Sequence, residues 1–320
     1  MSLLRSLSIG IFLFPFLLCH AAPTVRVPEC KVNGRQSFHF ARLMQYNGAK
    51  TRLLGKNFEF ASRFFSGEVR KDDRRSTING VRVMLNFPVA FINGIPYITG
   101  FDWHKTFRPL LFPSTLKKHT VYTITIDMGH GGNDPGALGA FSKEKNITLK
   151  IGRRLGQILQ SYGFKVCFVR NSDIKVPLEK IPLIQRRHRS DLFVSLHINS
   201  AKDRSVSGIE TYCLTPAYAP SSSSTKIQRT PKPGNNFDNN NLALAYNIQR
   251  GMLKRTGAAD RGIKRANFVV LRELNAPGVL IEAGFISHRI EERRLNNSVY
   301  IDALARGIAD GIINYRKSIK

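Results

Sequence analysis

Val121-Tyr122-Thr123-Ile124-Thr125-Ile126-Asp127-Met128-Gly129-His130-Gly131-Gly132-Asn133-Asp134-Pro135-Gly136-Ala137 is the stretch on which the reading of this chain turns. It begins as a β-branched run and stops at Gly129, where glycines let the backbone turn sharply and approach a ligand. Beyond it Ile147, Ile151, Leu155, Ile158 and Leu159 recur at helical spacing, and Gly163 is a plausible stop. A strand followed by a loop and an amphipathic helix is the opening of an α/β layer.

The pattern then repeats. Phe164–Arg170 reads as a strand, Leu178–Ser190 as a strongly basic helix, Asp191–His197 as a third strand and Ile209–Leu214 as a fourth. Asn241–Thr256 reads as a helix, Phe268–Leu271 and Val279–Glu282 as strands, and Ile301–Tyr315 as a closing helix. Alternation of this kind argues for an α/β domain with a largely parallel sheet, covering residues 119–320. Residues 215–241, rich in Ser, Pro, Lys and Asn, read as a surface loop, with a flap near the site as the functional alternative.

Residues 23–118 read as a small β-rich module preceding that domain. Val81–Leu85 and Ile95–Ile98 flank the turn dipeptide Asn93-Gly94, and Pro96 restricts the second run to an edge strand at best. Residues 1–22 carry Arg5, an apolar run from Ile9 to Leu18, and then Ala21 and Ala22, the order of a secretory signal peptide. Cys19 follows Leu18, a poor residue before a lipidated cysteine. Cys30, Cys167 and Cys213 are too widely spaced for a thiolate metal motif or a disulfide framework.

The 49 basic and 22 acidic residues give a formal net charge of +27, spread along the chain. Such a surface attracts polyanions. Export argues against nucleic acid and leaves anionic wall polymers and lipid headgroups. The run Arg186-Arg187-His188-Arg189 is either a solvated helix face or a holder of carboxylates and phosphates.

Four side chains point to chemistry. His130 follows the first strand of the α/β domain, His197 ends an otherwise apolar strand, and Glu282 ends another. In open α/β sheets, ligands sit at the carboxyl ends of strands. Glu144 stands at a helix start, where an acid is also favoured by the helix dipole. Two imidazoles and a carboxylate make a catalytic zinc set, and a remaining acid can act as general base. Periodicity leaves open which glutamate is ligand and which is base. The absence of a Gly-Lys-Ser/Thr ending weighs against a nucleotide loop.

These segments resemble the zinc-dependent N-acetylmuramoyl-L-alanine amidases over about Val121 to Ile313. The resemblance rests on Ile126–Gly132, Asp191–Asn199, Gly208–Tyr212, Arg261–Lys264, Val270–Arg272 and Ile281–Ile286. It implies a mixed six-stranded sheet sandwiched by helices, Zn2+ as cofactor, His130, Glu144 and His197 as metal ligands, and Glu282 as catalytic acid. It implies a hydrolase of linear amides that cuts peptidoglycan between N-acetylmuramic acid and the L-alanine of the stem, in wall remodelling or daughter-cell separation. The alternative is a zinc carboxypeptidase or endopeptidase acting within the stem. The implied partners are peptidoglycan, an anionic wall or membrane surface, and regulators of the division machinery, in the periplasm or outside the cell. Met128 and His288 depart from the family pattern. Residues 215–241 stand where some relatives carry an autoinhibitory helix, and here they show no amphipathic one.

Overall fold

A computed structural model describes residues 27–320; the signal-peptide reading of residues 1–22 lies outside them. The chain begins with strands β1 (Glu29–Val32) and β2 (Arg35–His39) and the short helix α1 (Phe40–Tyr46). A meander follows: β3 (Lys50–Leu54), β4 (Asn57–Ala61), β5 (Ser66–Arg70), β6 (Arg75–Ile78) and β7 (Val81–Met84). Strands β8 (Ala90–Ile92) and β9 (Ile95–Thr99) come next, and a helical run covers residues 100–111. The α/β portion then contributes β10 (Thr123–Met128), α2 (Glu144–Ser161), β11 (Lys165–Phe168), α3 (Ile181–Arg187), β12 (Leu192–Asn199), β13 (Ile209–Leu214), α4 (Asp238–Thr256), β14 (Asp260–Ala266), β15 (Gly278–Phe285), α5 (Arg289–Leu295) and α6 (Ser298–Ser318).

The expected six-stranded, largely parallel sheet is not what forms. One sheet of eleven strands runs β11-β10-β12-β15-β13-β14-β7-β6-β5-β4-β3, beside a four-stranded sheet β1-β2-β9-β8. Five neighbouring pairs of the large sheet are parallel and five antiparallel, so it is mixed. The reason is β14. A strand there would be the sheet's edge, with unpaired backbone groups. β7 pairs with it instead, Ile263 opposite Val83, and the Asp260 carboxylate accepts the Arg82 N–H at 2.7 Å. The N-terminal meander thereby continues the same sheet.

The sequence does not mark β14 as a strand, because Asp-Arg-Gly-Ile-Lys-Arg-Ala has almost no apolar pattern. Its inward Arg265 is buried, donating to the Lys105 carbonyl at 2.6 Å and the Thr106 hydroxyl at 3.3 Å. The core is correspondingly continuous. Phe40, Phe58, Phe60 and Phe107 stack at 4.8–6.4 Å between centroids and join the same apolar core as Ile124, Ile126 and Ile147.

Other local expectations meet the structure in instructive ways. Asn93-Gly94 does turn a hairpin, but it joins β8 to β9, not Val81–Leu85 to β9. β9 is internal, between β2 and β8. Pro96 is tolerated because β2 ends at His39, opposite Tyr97, so the missing N–H falls beyond that ladder. Phe268–Leu271 is not a strand; Val269–Arg272 makes a single helical turn. Residues 215–237 form a two-residue strand pair and a 3₁₀ turn. The Ser221 and Ser224 carbonyls there accept from the Arg74 guanidinium, which ties the segment to the meander.

The layers are completed by helices. α2 lays Ile147, Ile151, Leu155 and Leu159 on the sheet and stops as expected, with Gly163 left-handed and the Phe164 N–H bonded to the Leu159 carbonyl. α4 and α6 meet nearly backbone to backbone: a Cβ on Gly251 would lie 2.2 Å from the Gly307 carbonyl oxygen. Cys167 and Cys213 are buried fillers in β11 and β13, and with Cys30 they are free thiols. No helix among the described residues is long and apolar enough to cross a membrane.

Candidate metal centre

β10 and β12 are adjacent and parallel, with Met128 opposite Leu196. Both carboxyl ends therefore emerge at the same edge, carrying His130 and His197 with them. His130 sits in the left-handed region, at φ 65°. Such a conformation is uncommon for a non-glycine residue and marks a constrained turn. The turn is pinned by paired backbone bonds between Gly131 and Asp134, at 2.9 and 3.1 Å. The two imidazoles stand edge to face, 5.1 Å between centroids.

Glu144, the first residue of α2, joins them. Its carboxylate turns away from solvent and bridges the pair, Oε2 lying 3.2 Å from His130 Nε2 and Oε1 lying 3.0 Å from His197 Nδ1. It also accepts the Ala137 N–H at 2.8 Å and the Ile198 N–H at 3.0 Å. Helix-start preference alone would leave this acid facing water; here it is buried. Gly136 makes room, since a Cβ there would lie 2.5 Å from Glu144 Oε2 and 2.6 Å from the His130 ring.

One donor atom from each of His130, Glu144 and His197 lies within 4.8 Å of the others. Ligand atoms about 2.1 Å from a tetrahedral zinc ion stand roughly 3.4 Å apart, so a modest adjustment closes this set on the metal. The cluster is consistent with a catalytic zinc site. Asp134 accepts from the far side of the His130 ring, 3.1 Å from Nδ1, and fixes its orientation.

The charges around the cluster reflect the same contacts. The Glu144 hydrogen bond pushes His130 up to about 9, against the opposing effect of burial. Burial disfavours the charge on His197, yet the Glu144 hydrogen bond and the nearby acids outweigh it and raise it as well. Burial also acts against the Glu144 charge, but hydrogen bonds from both imidazoles hold its carboxyl far below the usual range.

Glu282 stands on β15, directly opposite His197 in the parallel ladder. Its Oε2 is shut off from solvent without a hydrogen-bond partner among the described residues. Burial pushes it up to about 8, and the Glu144 and Glu210 charges add to the effect while His197 opposes it. A carboxyl kept free and poised near neutrality can both take and give a proton.

Several contributors escaped the sequence reading. Glu210 on β13 pairs with Glu282 from the other side, so His197, Glu282 and Glu210 form a row across three strands. Its buried carboxylate accepts from Asn199 at 2.7 Å, Tyr212 at 2.9 Å and Arg261 at 3.3 Å, and pairs with Lys264. Asp127, also buried, accepts from Ser195 at 2.7 Å, and burial raises its pKa. Arg170, 3% exposed, donates to the Met128, Gly129, Lys145 and Ser172 carbonyls at 2.6–3.1 Å and so clamps the His130 loop. The rule that found His130 and His197, a polar residue just past an apolar strand, applies to Arg170 too.

Replacing Arg170 with methionine keeps the bulk but strands those carbonyls. Each carries a penalty of about 1 kcal/mol or more, so unfolding free energy should fall by roughly 3 kcal/mol. Denaturant melts of the metal-free protein would measure it, and a change under 1 kcal/mol would refute the clamp.

A sequence profile described as N-acetylmuramoyl-L-alanine amidase matches residues 124–314. The chain belongs to that family. Among its relatives, the amidase AmiC of Escherichia coli O6:H1 is 30% identical over 228 residues, covering 63% of this chain and 55% of its own. The chain thus spans about half the length of that relative. The crystal structure of the amidase from Clostridium difficile 630 is 31% identical, with a TM-score of 0.53, over 63% of this chain and all of its own. The CwlD amidase from Clostridioides difficile, solved with the GerS lipoprotein, is 26% identical with a TM-score of 0.53, covering 61% of this chain and 98% of its own. The family match begins at Ile124 and takes in all four residues singled out from sequence.

Proposed function

We propose that this protein hydrolyses the amide between N-acetylmuramic acid and the L-alanine of peptidoglycan stems, with His130, Glu144 and His197 holding zinc and Glu282 moving the proton. The observation that carries the reading is the free Glu282 carboxyl beside a His/His/Glu cluster, in a chain of the amidase family. When bound, zinc supplies a Lewis acid that makes water nucleophilic at neutral pH and favours charge on the carbonyl oxygen. Glu282 takes a proton as water adds to the lactyl amide carbonyl. It returns that proton to the alanine nitrogen, so that the C–N bond breaks to a carboxylate and a free amine. Asp134 holds the His130 ring in place through the cycle. Glu210, satisfied by four partners of its own, adds negative potential that raises the affinity of Glu282 for the proton it takes.

Mass spectrometry of digested sacculi tests the bond cut. Free stem peptides with intact termini are expected. Loss of a terminal D-alanine, or cleavage inside the stem, would instead mean the carboxypeptidase or endopeptidase alternative.

The proposed setting is the cell envelope, in wall remodelling or daughter-cell separation, with residues 1–22 serving as export signal. The lipoprotein complex of the Clostridioides relative supports looking for a protein regulator here as well.

A further inference from the structure

A cleft of about 720 Å³ opens between three segments that run on from the metal centre: the loop after His130, the residues following β12, and α5, which follows β15. It adjoins the cluster through the chain itself. Leu138 follows Ala137, whose N–H holds Glu144, and Ser200 lies three residues past His197. The cleft is held open in a fixed shape. Buried Glu292 accepts the Ala140 and Phe141 N–H groups, each at 2.9 Å, and the Ser142 hydroxyl at 2.8 Å, which fastens one wall to α5.

Lys202 and Arg204 line one side of this cleft, and Arg289 and Arg293, one helical turn apart, line the other. None of the four has an ion-pair partner among the described residues, although six arginines and three lysines elsewhere do. The nearby acids are already engaged: Glu292 by the loop, and Asp203 by the Ser205 N–H and hydroxyl at 2.9 and 2.7 Å. Leu138, Phe141 and Ile290 add exposed apolar surface to the same cleft.

We infer that this cleft is the subsite for the peptide half of the substrate and recognises its carboxylates. The inference rests on the amidase reading for the choice of peptide. Acetylated glycan is uncharged, whereas a stem peptide carries several carboxylates interleaved with alanine methyls. That pairing of anions with small apolar groups matches four unpaired cations on an apolar rim. Cations without a built-in counter-charge are an arrangement that a ligand completes.

The test compares the wild type with the R289Q/R293Q double variant, whose replaced side chains are exposed and make no ion pair among the described residues. Muropeptides are offered with stem carboxylates free or converted to amides. Two rim contacts are together worth about tenfold, so the variant should lose about tenfold in kcat/KM on the free acids, through KM. On the amides it should lose less than about twofold, with zinc content unchanged. Equal losses on both substrates, or no loss, would overturn the subsite. A second arm is independent of turnover: calorimetric binding of the free-acid stem peptide, without sugar, to the zinc-loaded proteins. Weaker binding by the variant supports the subsite even if the wild type cleaves a different bond. Equal binding, or binding only of polyglycerol phosphate, refutes it.

Discussion

Glu282→Gln should cut kcat by about 10²- to 10⁴-fold, the usual worth of a positioned acid or base. Zinc stoichiometry should stay at the wild-type value. Glutamine has the same shape, so β15 keeps its place beside β12, and none of the three cluster residues is touched. What is lost is the ability to accept and return a proton. A second readout separates this from structural damage. Burial raises the Glu282 carboxyl from 4.5 to about 8. A carboxyl with a raised folded-state pKa lowers stability as pH climbs above the unfolded value, and the penalty grows until the folded value is passed. Removing it should therefore leave the metal-free variant equally stable at pH 4 and more stable than wild type at pH 8. Loss of function with gain of stability is the mark of a group retained for chemistry. Turnover near the wild-type rate would sink the assignment, and a lower Tm at pH 8 would argue that the carboxylate has partners in solution after all.

The site was more legible than the sheet that carries it, for a physical reason. His130, His197 and Glu282 each sit where an apolar run meets a polar side chain, and a buried strand shows that boundary in sequence. Parallel pairing then brings the ends together without further information. Glu144 needed the resemblance, because an acid at a helix start has an ordinary explanation; only the fold shows its carboxylate between two imidazoles. Glu210 lay in a quoted motif but had no role until β13 was seen to run antiparallel to β15 and place it opposite Glu282.

The sheet departs from expectation in its fifth α/β strand, which lies at Asp260–Ala266 and not at Phe268–Leu271. β14 carries Asp260, Arg261, Lys264 and Arg265 among seven residues, so alternation of apolar and polar side chains could not reveal it. Its stability comes from pairing on both sides and from a buried guanidinium that donates to residues 105 and 106. Those partners lie some 160 positions away in the chain. Long-range satisfaction of polar groups leaves no local signature, and missing it hid the junction through which the N-terminal meander becomes part of the same sheet.

Zinc uptake should release protons, and the pH dependence should run in a stated direction. In the metal-free chain the Glu144 hydrogen bond lifts His130 to about 9, and His197 is raised too. A metal must displace those protons before it can use the imidazoles. Titrating zinc calorimetrically at pH 7 in buffers of different ionisation enthalpy should show more than one proton released per ion, declining above about pH 9. The stability consequence has the opposite slope. The raised His130 stabilises the metal-free fold below about pH 6.5, and that contribution is lost as pH rises through about 9. The depressed Glu144 stabilises it above its ordinary 4.5 and loses that contribution only in strong acid. The metal-free Tm should thus be favoured between about pH 4.5 and 6.5, whereas the rise in Tm on adding zinc should grow from pH 6.5 to 9. His130→Ala or His197→Ala should abolish that rise. Each removes one of three protein ligands, a loss of roughly 10²- to 10³-fold in affinity, with turnover falling in step. Zinc binding that releases no protons, or that survives both alanine variants, would place the metal elsewhere in the chain.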